Sequence, residues 1–208
     1  GKFRDIKKSL LDGGYTSRVW KKSEVALMGG AGRSQPYVEE FTKHVGQVDL
    51  VIRMFFGPSG IDEKSAGFHY FFKDALENAS VMIYDGHSGL GGHLDLAAIE
   101  QTEGFTIQPN TSRYQIYFFN SCSSYSYYNT MFFGRKATSS DPNGTKNLDV
   151  LTNGLATYFY VMHDTNMALV KSIEAWAAGK GKISYQAIAK NIDSGNLFGI
   201  NGDEDNGN

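Results

Sequence analysis

The chain has 208 residues, 41% of them hydrophobic and 20% charged, with a formal net charge of −2. That length suits one domain with a substantial core, and neither the charge balance nor any basic block offers a nucleic-acid surface. No apolar run reaches the length of a membrane span, and a single cysteine excludes an internal disulfide framework.

Taken in order, "KFRDIKKSLLDGGY" reads as an amphipathic helix carrying Phe3, Ile6, Leu10 and Leu11 and closed by Gly13 and Gly14. "EVALMGG" reads as a strand ending in glycines. "SQPYVEEFTKHVG" carries Ser34 as a cap, Pro36 in the first turn and Gly46 as a stop, which predicts a helix. "VDLVIRMFFGP" is β-branched and aromatic and predicts a strand. In "DEKSAGFHYFFKDALENA" the spacing of Phe68, Phe71, Phe72, Ala75 and Leu76 is helical.

The alternation continues with strands at "SVMIY", "YQIYFF" and "LDVLT", helices at "SYSYYNTMFFGR" and "SYQAIAKNI", and one long helix or two shorter ones in "LATYFYVMHDTNMALVKSIEAWAAG". Strands and helices in alternation imply parallel pairing through right-handed crossovers. Strands that are apolar throughout imply cover on both faces. The expected fold is α/β, a three-layer α/β/α sandwich around a mostly parallel sheet of about five or six strands. It would be a single domain over residues 1–208, with its core at about 22–175 and a polar, disordered tail from about 196. Gly1 opens no signal-peptide pattern. The Tyr-, Asn-, Ser- and Gly-rich vocabulary nevertheless suits an exported protein, and Asn78, Asn110 and Asn143 begin Asn-x-Ser/Thr triplets that matter only in a eukaryotic secretory route.

Two strand ends carry chemistry. "VMIYDGHSGLGG" runs into His87, and "YQIYFFNSCSSY" runs into Cys122, the lone cysteine. In an open parallel sheet, ligands bind beyond the carboxyl ends of the strands. Neighbouring strands lie about 4.8 Å apart, so both side chains can address one substrate. Cysteine attacks as a thiolate, and a nearby imidazole promotes its ionisation and returns a proton to the leaving group. Gly86 and Gly89 let the backbone turn tightly beside the histidine. The N–H groups of Ser88, Gly89 and Cys122 are placed to hold a developing oxyanion. His44, His69 and His163 fall in helical patterns and read as surface or packing residues. His93 is left without an assignment.

"YDGHSG" resembles the strand-terminal "YSGHG" block of metacaspases, and "IYFFNSCSS" resembles their "DSCHSG" block, in the same order. Residues 22 to 175 are thus similar to the caspase-like cysteine peptidases, the group that includes gingipains, legumains and separases. The resemblance implies an endopeptidase with His87 as general acid/base, Cys122 as nucleophile and an oxyanion hole at Ser88 and Gly89. It implies a pocket for the substrate side chain built from Asp85, Asn120, Thr152 and Asn153. No catalytic metal or other cofactor is implied, although calcium activates some relatives. The expected partner is a peptide or protein substrate, bound by a monomer. Ser88 stands where the family has glycine, which predicts strain there or an oxyanion contact moved to Gly89. Asn120 stands where metacaspases place an acidic residue, which weakens the case for basic substrates. "GRKATSSDPNGTKN", residues 134 to 147, is expected to be an exposed loop. Caspases and several relatives mature by cleavage in the equivalent connection, which makes Arg135, Lys136 or Asp141 a candidate self-cleavage site. Many bacterial relatives act as single chains, and a plain, uncut surface loop is the equal alternative.

Other readings remain open. "GHSGL" approaches the Gly-x-Ser-x-Gly elbow and would make Ser88 a serine-hydrolase nucleophile, with Leu90 where a small residue belongs. Asp85, His87, His93 and Asp95 would make a metal site of a spacing that fits no zinc pattern. The chain could also be a caspase-like domain that binds peptides without cleaving them. "LMGGAGRS" fails as a phosphate loop, because Leu27 and Arg33 occupy its glycine and lysine positions, and it reads as a strand end and turn.

Overall fold

The computed structural model describes residues 1–27, 37–57, 67–154, 159–192 and 198–202. Its larger core is built on a four-stranded sheet. β4 (Val81–Gly86), β5 (Gln115–Ser121) and β6 (Leu148–Asn153) run parallel, and β7 (Phe198–Asn201) lies antiparallel beside β6, in the order β4-β5-β6-β7. Alternation along these strands separates two apolar layers. On one face Tyr117, Phe119, Leu148 and Val150 pack with Phe68, Phe72 and Leu76 of α3 (Phe68–Asn78) and Leu96 and Ile99 of α4 (Leu96–Glu103). On the other, Phe118 and Leu151 meet Leu169 of α7 (Phe159–Ala177) and Ile188 of α8 (Tyr185–Ile192). Helices therefore cover both faces, which is why these strands are apolar in consecutive positions.

A second sheet is antiparallel. β1 (Thr16–Val19), β2 (Tyr37–Val45) and β3 (Val48–Phe56) are ordered β1-β2-β3. Its Phe41 joins Leu10 of α1 (Lys2–Asp12), Tyr15 and Met167 of α7 in a smaller core. The chain is thus a mixed α/β protein with two sheets, where one parallel-dominated sheet was expected.

Several elements depart from the sequence reading. The segment expected as a helix over residues 34–46 is strand β2, paired with β3 from Tyr37↔Phe56 to Val45↔Val48. Val38 and Phe41 have helical spacing, but nine residues of backbone pairing outweigh local propensity. Gly46, expected as a helix stop, turns the β2–β3 hairpin at φ 61°. Glu24 to Leu27, expected in a strand, belong to α2 (Lys22–Leu27), where the Glu24 carboxylate accepts from the Lys21 N–H at 2.7 Å. Residues 28–36, including the rest of the glycine turn, lie outside the described residues. The helix expected over 124–135 is two short ones, α5 (Ser124–Tyr128) and α6 (Phe133–Lys136). Part of the expected tail is strand β7, and residues 203–208 lie outside the described residues.

Candidate active site

β4 and β5 pair in parallel register from Val81↔Ile116 to Gly86↔Ser121. The next residue on each strand is His87 or Cys122, so both leave the sheet at the same level from adjacent carboxyl ends. They line one cleft of about 520 Å³, together with Ser88, Gly89, Leu90, His93, Ser123 and Tyr127. His87 is exposed and Cys122 half-buried.

Four hydroxyl groups hold the two turns. Tyr84 Oη donates to the His87 carbonyl at 2.8 Å, and Tyr128 Oη donates to the Ser88 carbonyl at 2.9 Å. Burial raises the Tyr128 pKa, so the phenol remains a donor. Ser88 Oγ is hydrogen-bonded to Ser121 Oγ at 2.9 Å and donates to the Cys122 carbonyl at 2.6 Å. Ser124 Oγ donates to the Phe119 carbonyl at 2.6 Å and accepts from the Asn153 N–H at 2.8 Å. Such ties fix the peptide planes from which any backbone donor would reach a substrate.

The backbone strain expected at Ser88 lies elsewhere. Ser88 is ordinary right-handed helical backbone, at φ −75° and ψ −27°. Among the described residues the only non-glycine residues with left-handed φ are Leu90 (54°) and Ser123 (49°), and both line the cleft. Each costs about 1–3 kcal/mol and persists only where packing holds it. Gly89 is also left-handed, at φ 55°. Among the described residues neither the Ser88 nor the Gly89 N–H has an acceptor. The Ser88 carbonyl accepts from Gly91 N–H and Tyr128 Oη, both at 2.9 Å. The Gly89 N–H, on the same trans peptide, therefore points away from that buried hydroxyl.

Of the four residues expected to form a side-chain pocket, Asp85, Asn120 and Asn153 share the α7 face of the sheet, whereas Thr152, opposite Phe119, turns to the other face and does not join them. Asp85 pairs with Asn120 across β4 and β5, and Phe119 pairs with Thr152 across β5 and β6. Asn120, Thr152 and Asn153 are each only 1% exposed. Asn153 Nδ2 donates to Asn120 Oδ1 at 2.9 Å, Asn120 Nδ2 to Asn166 Oδ1 at 3.3 Å, and Asn166 Nδ2 to the Asp85 carboxylate. Asp85 alone of the four presents an exposed surface. Desolvation by the surrounding protein pushes its carboxyl up to about 7, opposed by the amide hydrogen bonds of Asn166 and Asn120. Water at the exposed face moderates that rise.

Asp95, one of the four candidate metal ligands, instead caps α4 and accepts the Ala98 N–H at 2.8 Å. Among the described residues no group of three or more His, Cys, Asp or Glu side chains could hold a metal ion. His44 lies in a strand, exposed and paired with Asp49, while His69 is buried against Glu103 at 2.7 Å. His163 Nε2 is hydrogen-bonded to Ser9 Oγ at 2.8 Å.

The segment expected as an exposed, cleavable loop is anchored at its start. Arg135 makes two bonds to the Glu100 carboxylate, at 2.6 and 2.9 Å. Lys136 is 1% exposed and donates to the Asn110 and Arg113 carbonyls at 2.6 and 2.7 Å. Burial pushes the Lys136 ammonium down to about 8. Asp141 is half-buried, and its carboxylate accepts the Gly144 and Lys146 N–H groups at 3.1 Å. None of the three expected cleavage residues is presented as an extended strand to a protease.

Sequence reasoning missed Tyr84, Tyr128, Ser123 and Asn166. Tyr84 stands three residues before His87 and was within reach of a local reading. Asn166 is 46 residues beyond Asn120 and left no local signal. Compared with protein-family models, curated proteins and solved structures, the chain matches none.

Proposed function

We propose that the protein is a cysteine endopeptidase of caspase-like architecture. The observation that carries this reading is the meeting of His87 and Cys122 in one cleft, from adjacent parallel strand ends. Cys122 Sγ attacks the scissile carbonyl carbon as His87 takes the thiol proton. The tetrahedral intermediate collapses as His87 protonates the leaving amine, and water then hydrolyses the thioester. The Gly89 N–H is the backbone donor for the oxyanion, with that of Ser88 beside it. The parallel β4–β5–β6 core, flanked by α3 and α4 on one face and by α7 and α8 on the other, supports the three-layer caspase-like arrangement.

Asp85 is the pocket residue that meets the substrate side chain, and Asn120, Asn153 and Asn166 lie behind it as support. A carboxylate there favours a cationic side chain when ionised. The serine-hydrolase reading finds less support, because Ser88 is 4% exposed and its hydroxyl donates to the Cys122 carbonyl. A positional-scanning fluorogenic peptide library tests the proposal on wild type, His87→Ala and Cys122→Ala. Cleavage by wild type alone is expected, and cleavage retained by Cys122→Ala would remove the nucleophile from the account.

A further inference from the structure

His93 lies on a 3₁₀ segment, Gly89–Leu94, that is kinked at Leu90 and Gly91. The kink folds the chain back on itself, with the Gly91 and His93 N–H groups both directed at the Ser88 carbonyl, at 2.9 and 3.4 Å. The His93 imidazole thereby returns to the cleft that His87 and Cys122 line. Its ring edge presses on Gly89, since a Cβ added there would stand 2.6 Å from His93 Nε2. No side chain other than hydrogen fits at Gly89 while the ring keeps its place. The two ring nitrogens differ. Nδ1 is buried and has no hydrogen-bond partner among the described residues, whereas the ring as a whole is only half-buried.

We propose that His93 is a second imidazole of the site, carrying its N–H on Nε2, which donates a hydrogen bond to the substrate's scissile carbonyl oxygen beside the Gly89 N–H. The tautomer follows from the environment of Nδ1. A proton on that nitrogen would be a buried donor without an acceptor, a rarer and costlier state than an unused lone pair. The proton therefore belongs on Nε2, the nitrogen at the Gly89 edge. As the Cys122 sulfur–carbon bond forms, the carbonyl π pair moves onto oxygen, and His93 and Gly89 hold that charge. His93 gives up no proton; the leaving amine takes its proton from His87. Such donors act on the transition state more than on bound substrate.

The inference rests on the cysteine-peptidase reading, and the experiment separates the two. Turnover of a cleaved fluorogenic peptide and iodoacetamide alkylation of Cys122 are measured on wild type, His93→Phe and His93→Gln, alongside the ¹⁵N shifts of the wild-type His93 ring. Loss of one oxyanion donor predicts kcat lower by about 100-fold in His93→Phe with KM changed by less than about threefold. His93→Gln, which keeps an N–H donor, recovers part of that loss. Alkylation passes through no oxyanion, so its rate is unchanged in both variants. The ¹⁵N shifts show Nε2–H and a bare Nδ1 near neutral pH. Wild-type kcat in His93→Phe, an alkylation rate that falls together with kcat, or a proton on Nδ1 each overturns the role of His93 and leaves the dyad standing. A wild-type protein that cleaves no peptide and alkylates no faster than a model thiol overturns the peptidase reading and His93 with it.

Discussion

Ser88 Oγ donates to the carbonyl oxygen of Cys122 at 2.6 Å, joining the two turns that carry the candidate dyad. The bond is part-buried and links residues 34 positions apart, so it holds the Cys122 peptide against the His87 turn. The hydroxyl that the rival serine-hydrolase reading would use as a nucleophile is engaged in this brace.

Replacing that brace has a defined cost. Ser88→Ala leaves the Cys122 carbonyl and the Ser121 hydroxyl short of a partner, and should lower stability by about 1–3 kcal/mol. Urea unfolding of the two proteins measures it. Peptidase activity should fall but persist, and a fluorophosphonate probe should label neither protein. Labelling of wild type at Ser88 would restore the serine-hydrolase reading.

Cys122 should be alkylated by iodoacetamide faster than a free model thiol near neutral pH, because an imidazole at the adjacent strand end lines the same cleft and can take the thiol proton as sulfur attacks. His87→Ala should slow that reaction by about tenfold or more, and mass spectrometry of the folded protein follows it. Equal rates in the two proteins would dissolve the dyad.

Asp85 makes stability depend on pH. Its carboxyl is raised from 3.8 to about 7 by desolvation, so the folded chain binds this proton more tightly than the unfolded one. Between those values the folded state holds more protons, and stability falls as pH rises. Asp85→Asn keeps an acceptor for Asn166 without the charge. Its Tm should match wild type near pH 4 and exceed it above pH 7, with the gap opening across that window. A constant difference at every pH would mean that Asp85 titrates normally.

The segment from Arg135 to Asn147 should stay uncut. Lys136 is held by two carbonyls and Arg135 by Glu100, so an intact-mass spectrum of wild type should show a single species with or without calcium. Cleavage after Arg135 or Lys136 that is absent from Cys122→Ala would establish self-processing. Lys136→Met strands both carbonyls and should cost about 2–4 kcal/mol in urea unfolding.

The parallel strands β4, β5 and β6 were legible because buried strands are continuous apolar runs bounded by turn residues, and such runs carry their own signal. The end of each run named His87 and Cys122, since a strand that stops at a polar side chain leaves that side chain at the sheet edge. Strand β2 was not legible. Val38 and Phe41 suit a helix face, and only the long register with β3 makes the extended form better satisfied. Helix α4 was missed although Asp95 and Gly104 bracket it as caps, a local signal that the sequence did contain. Local order thus determined the strand ends and the placement of His87 and Cys122 beyond them, through periodicity and turn chemistry that act over a few residues. The tertiary structure alone decided that the Ser88 hydroxyl is tied to the Cys122 carbonyl, that Asn120 and Asn153 join Asn166 behind Asp85, and that His93 folds back to the same cleft. Each of these depends on hydrogen bonds and packing between residues distant in sequence or across a kinked turn, and no spacing along the chain encodes such contacts.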